Sequence, residues 1–163
     1  MPWTASVLVI ANVTATSDEV LGALERRAAE GPTTFTLLVP PSDSSAAAQV
    51  AAEQRLDDAL DRMREHGLRV TGKVVDTDPI TAVLEEFDPR RFDEIIVVTF
   101  PVGTSKWLQV DLPHRIERIT AARVNHIVAK APRERPGNVS ARPEAAHSGL
   151  LSPLRVLTWG GHR

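Results

Sequence analysis

The sequence predicts an α/β fold: a five-stranded parallel doubly wound sandwich with strand order 3-2-1-4-5. Short apolar runs alternate with amphipathic segments as β-α-β-α-β-α-β-α-β over roughly 130 residues. Ile95-Ile96-Val97-Val98 shows no polar alternation, as expected of a strand covered on both faces. The connections are short, so each crossover is expected to be right-handed and parallel.

Ser6 to Ala11 (SVLVIA) forms the first strand and stops in the polar turn Asn12 to Ser17. Thr16 and Glu19 have capping-box spacing, and Val20, Leu21, Leu24 and Ala28 recur at helical intervals as far as Gly31-Pro32. Thr33 to Val39 is rich in β-formers and ends at Pro40-Pro41, which has no N–H to offer a ladder. Asp43-Ser44-Ser45 opens a second helix with Val50, Leu56, Ala59, Leu60 and Met63 inward and Gly67 as its stop. Its charged residues, from Arg55 and Asp57 to Arg62, Arg64 and Glu65, are assigned to a solvated outer face.

Leu68 to Val75 alternates like a strand near a sheet edge. Asp78 before Pro79 is a helix start, and Ile80, Val83, Leu84 and Phe87 form the expected inner face. The central strand then runs into Thr99-Phe100-Pro101-Val102-Gly103, a turn, and into the capping hydroxyls of Thr104 and Ser105. Trp107, Leu108 and Val110 suggest a helical turn. Asp111-Leu112-Pro113 restarts the helix through an aspartate cap, with Ile116 and Ile119 inward. Val124 to Ala129 is the last strand.

Composition narrows the function classes. No cysteine is present, which removes disulfides, thiolate metal sites and cysteine nucleophiles and fits a cytoplasmic location. The N-terminus lacks the pattern of a secretory signal, and no run approaches membrane-spanning length. A net charge of −2 gives no reason to expect nucleic acid as a partner. Residues 131–163 carry five arginines against two glutamates, together with four of the 12 prolines. The chain therefore reads as one domain, 1–130, followed by a flexible Pro- and Arg-rich tail, 131–163.

In such a sheet the ligand crevice opens beyond the carboxyl ends of strands one and four, with Asn12 on one lip and Thr99 to Gly103 on the other. No Walker A lysine motif, G-x-G-x-x-G, H-E-x-x-H or G-x-S-x-G occurs, so no catalytic residue is assigned and a binding domain is favoured over an enzyme. Ser105, Thr104 and Lys106 suit either helix capping or a bound anion. Asp111 and His114 lie one helical turn apart near the crevice. Asp76 and Asp78 suit cap and turn roles better than a metal site. His126 alternates with Val124 and Val128 in a strand placed at the sheet edge, and is expected at a subunit interface.

The chain resembles the universal stress protein family over about residues 5–130. The resemblance rests on VLVIAN at the first strand, the long charged second helix closed by glycine, and Asp78-Pro79-x-x-Ala82. It rests further on FDEIIVV at the fourth strand and on G-x-S-K-W-L at 103–108. The segment Asp111-Leu112-Pro113-His114-Arg115 is similar to a divergent actinobacterial-type variant. The resemblance implies the same sandwich, a homodimer through strand five, and ATP as a possible cofactor. ATP-binding members use an acidic residue after strand one and a G-x2-G-x9-G-[ST] signature after strand four. Here Asn12 replaces the acid, Gly103 is the one signature glycine present, and Val110-Asp111 stands in place of the late Gly-Ser pair. Missing glycines obstruct backbone approach to phosphate, and Asp111 repels it.

The ligand-binding candidates are Ala11, Asn12, Val39, Thr99, Gly103, Thr104, Ser105, Asp111 and His114. Those for the dimer are Val124, His126, Ile127 and Val128. The expected function is a small regulatory domain that binds a nucleotide or other small anion weakly. The alternatives are a ligand-free interaction module in a stress response and an adenine-nucleotide α-hydrolase-like enzyme.

Overall fold

Parallel strands Ala5–Ile10 (β1), Thr33–Val39 (β2), Arg69–Val74 (β3), Glu94–Thr99 (β4) and Arg123–Val128 (β5) form one sheet in the computed structural model, which describes residues 3–101 and 111–130. Their order is β3-β2-β1-β4-β5, as the alternation of segments predicts. Val9 stands opposite Leu37 of β2 and Ile96 of β4, so the three central strands share one register of apolar layers. Every residue of β4 is buried, which is why its sequence shows no alternation.

Helices Asp18–Ala29 (α1) and Ala46–Glu65 (α2) cover one face. There Val20, Leu24, Leu56, Leu60 and Met63 pack on Val7, Val9, Phe35, Leu37, Ile96 and Val98. Helices Pro79–Glu86 (α3) and Leu112–Thr120 (α4) cover the other, where Val83, Leu112 and Ile116 meet Leu8, Ile10, Leu38, Ile95 and Val97. Odd and even residues of each strand therefore feed separate cores, the consequence of a two-residue side-chain period.

The helix ends explain themselves locally. Ser45 accepts from the Ala48 amide, and Asp78 from that of Thr81, with Pro79 at the first helical position. α2 closes in a Schellman motif: Leu68 N–H donates to the Met63 carbonyl and Gly67 N–H to that of Arg64, with Gly67 at φ 78°. The start of β1 is pinned to β4 by Asp93, whose carboxylate accepts from Ser6 N–H while its own amide donates to the Ser6 carbonyl.

Several local expectations are corrected. The turn after β1 contains a 3-10 segment, Val13–Thr16, and the α1 cap is Ser17 rather than Thr16, accepting from Val20 N–H. The 3-10 turn consumes Thr16 and passes the cap to the next residue. Val50, Leu84 and Ile119, expected inward, are 54%, 51% and 49% exposed. They lie beside the buried arcs, which Ala52 and Ala82 help to fill instead. Asp111 lies in the left-handed region at φ 52°, ψ 46°, and its side chain makes no capping hydrogen bond.

Candidate functional site

The chain leaves β1 toward β2 and β3, then crosses back to β4 on the opposite side of β1. The chain segments that follow the adjacent carboxyl ends of β1 and β4 therefore belong to opposite halves of the sheet, the switch point at which open α/β sheets take their ligands. Ala11 continues β1 by donating its N–H to the Leu38 carbonyl at 3.1 Å, and its side chain is fully buried. Asn12 follows it, half-buried, at the entrance to the 3-10 turn. Val39, at the end of β2, is also buried, and its carbonyl accepts from Val75 N–H at 3.2 Å.

On the other lip, Thr99 is buried, with its Oγ1 2.7 Å from His126 Nε2, and its carbonyl accepts from Ala129 N–H at 2.8 Å. Gly103, Thr104 and Ser105, with Lys106 and Trp107, lie outside the described residues. Beyond them, Asp111 Oδ1 lies 3.0 Å from His114 Nδ1, and both side chains are exposed. The carboxylate that was expected to cap α4 turns to this imidazole. Asp76 and Asp78 are engaged locally: Asp78 N–H donates to the Asp76 carboxylate, while Asp78 accepts from Thr81 N–H and Oγ1–H. The Thr81 hydroxyl above all holds the Asp78 carboxyl below its ordinary pKa.

α2 brings a residue that the sequence reading left in solvent. Arg55 Nη1 donates to Asn12 Oδ1 at 2.7 Å, so a guanidinium sits at the β1 lip. Partial burial pushes its pKa below the ordinary guanidinium value, and the group remains a cation. Farther along the same helix Arg62 donates to the Thr16 carbonyl and pairs with Asp18, and His66 Nδ1 lies 2.8 Å from Glu25 Oε1. Arg64 reaches the Val70 carbonyl at 3.3 Å. The solvated face predicted for α2 is thus replaced, at Arg55, Arg62 and Arg64, by contacts to other elements. The signal was present: 55, 62 and 66 are spaced by seven and four, one stripe of a helix. Two residues from Asn12 the Thr14 hydroxyl is buried with no hydrogen-bond partner among the described residues.

A second polar group missed in the sequence lies at the opposite end of the sheet. Glu94, the first residue of β4, is buried, and accepts from Arg27 Nε at 3.3 Å and Asn125 Nδ2 at 2.9 Å. It ties α1, β4 and β5 together and has a structural task. Of the dimer candidates, Val124 and Ile127 are half-buried and pack on the two cores, whereas His126 and Val128 are exposed. Among the described residues β5 pairs only with β4, so its outer backbone edge is open.

No family model and no curated protein matches the chain. Solved structures do. The crystal structure of a universal stress protein in complex with cAMP is similar over 77% of this chain and 97% of that one, with a TM-score of 0.53 at 22% identity. This chain has the universal stress protein fold. The protein Rv1636 from Mycobacterium tuberculosis H37Rv is also similar, at 17% identity over 78% of this chain and 96% of that one, with a TM-score of 0.43. Within this universal stress fold, Arg55 of α2 meets Asn12 beyond the end of β1, and Thr99 closes the neighbouring β4. Among the described residues no helix is long and apolar enough to cross a membrane.

Proposed function

We propose that this protein is a cytoplasmic, non-enzymatic regulatory domain that binds a nucleotide or other small anion in the crevice between β1 and β4. The observation that carries the reading is the Arg55–Asn12 pair, which holds a cation at the lip where an open α/β sheet takes its ligands. The similar universal stress protein solved with cAMP supports a nucleotide as the class to test first. Affinity is expected to be modest. Most glycines that let backbone amides close on a polyphosphate are replaced, and one helix terminus contributes only about 0.3–1 kcal/mol toward an anion.

Calorimetric titration of the full chain with ATP, AMP, cAMP and phosphate tests this. Weak binding of a mononucleotide is expected. Submicromolar ATP affinity contradicts the weakened site, and silence toward all four ligands favours a ligand-free interaction module.

The same reading includes a homodimer through β5, whose open edge offers backbone donors and acceptors to a second copy. Val128 is exposed on that strand, whereas Ile127 packs inward. V128K is therefore the variant that disturbs the edge without disturbing the core. Light scattering is expected to show a shift toward monomer, and an unchanged dimer rejects this interface.

A further inference from the structure

We propose that Arg55 and Asn12 form a cationic, donor-only corner that takes the phosphate group of the bound nucleotide and makes the crevice selective for phosphate esters over neutral nucleosides. The proposal rests on the nucleotide reading of the crevice above and assigns the recognition to two residues.

A guanidinium can only donate, so its 2.7 Å contact settles which end of the Asn12 amide faces Arg55: the oxygen. The two N–H bonds of Asn12 Nδ2 then turn away from Arg55. Four more N–H donors of the guanidinium remain beyond the one used on Asn12. The corner thus presents donors and a positive charge, the complement of an oxyanion.

Charge matching sets Arg55 apart among the half-buried cations of the described residues, since Arg27 is paired with Glu94 and Glu30 and Arg62 with Asp18. Arg55 is half-buried and its partner is a neutral amide. Partial desolvation of a cation without a counter-charge is unfavourable, and an arriving phosphate relieves it.

Arg55 is also held in place. Leu56, Ala59, Leu60 and Met63 anchor α2 in the core, and Arg62 and His66 tie it to the 3-10 turn and α1. A preorganised guanidinium loses little freedom on binding. The loss of most signature glycines leaves a phosphate in need of such side-chain donors.

The test is calorimetry on the full chain with AMP, adenosine and inorganic phosphate, for the native protein, R55Q and N12D, with thermal melts confirming that each variant folds. R55Q is expected to lose about tenfold or more in AMP affinity, the loss of one charged hydrogen-bonding group, with adenosine unchanged. N12D is expected to do the same, because its carboxylate neutralises Arg55 while leaving the guanidinium in place. Inorganic phosphate, where it binds the native protein, should be lost from R55Q. If both variants keep the native preference for AMP over adenosine, or bind phosphate as the native protein does, the corner is wrong while the crevice stands. If the native protein binds neither AMP nor adenosine, the crevice reading itself fails and this inference fails with it.

Discussion

Ala121 ends α4 with φ 52°, a left-handed conformation in which its Cβ crowds the following carbonyl. Glycine adopts it freely, so A121G is expected to stabilise the fold by up to about 1 kcal/mol in urea denaturation, offset in part by the greater freedom of the unfolded chain. A decrease would show that the Ala121 methyl packs more than it strains. His126 makes a second prediction. Although its residue is largely exposed, partial desolvation of the ring lowers its pKa from the ordinary 6.5, so below that pH the unfolded chain binds a proton that the folded one resists. Its contribution to stability is therefore flat above pH about 6.5 and declines as the pH falls below it. H126Q should flatten the stability curve between pH 5 and 7, and an identical slope in both proteins would remove His126 as its source. Neither residue announces this behaviour in the sequence. An alanine after a threonine and a histidine in an apolar run acquire it from a backbone angle and from neighbours distant in the chain.

α2 shows how far a helix can be read from its residues. Ser45, Leu56, Ala59, Leu60, Met63 and Gly67 take the places that capping and periodicity predict, because these are local properties of 20 helical residues. The partners of its charged residues are not local. Arg55 meets Asn12 across 43 positions and Arg62 meets Asp18 across 44, and the helical stripe that 55 and 62 share does not say which distant residues they meet. The pairing of α2 with β3 yields a further prediction. Gly72 stands opposite Leu37, and an added Cβ would lie 2.6 Å from the Leu37 carbonyl oxygen and 2.7 Å from Leu56 Cδ1. One neighbour is backbone and cannot withdraw, so G72A should cost roughly 1–3 kcal/mol of stability. Thermal unfolding would measure it, and a native midpoint would mean that β3, an edge strand, shifts to make room.

Every described strand and helix precedes residue 131, so a chain ending at 132 is expected to unfold in one cooperative transition near the native midpoint. A broad or strongly lowered transition would mean that residues such as Leu150 to Trp159 contribute to the stability of the body. Fold class, strand order and most of both cores were legible in advance, since they follow from periodicity, from glycine, proline and capping signals, and from the handedness of parallel crossovers. Those rules act over a few residues or on any β-α-β unit, whatever its side chains. The candidate site was legible only as a location. Asn12 and Thr99 could be placed at the strand ends, yet which side chains meet there depends on how α2 lies across β1. That helix draws Arg55 to Asn12, and the edge strand β5 draws His126 to Thr99. Such contacts join positions far apart in the chain through the packing of rigid elements, and no local pattern encodes them.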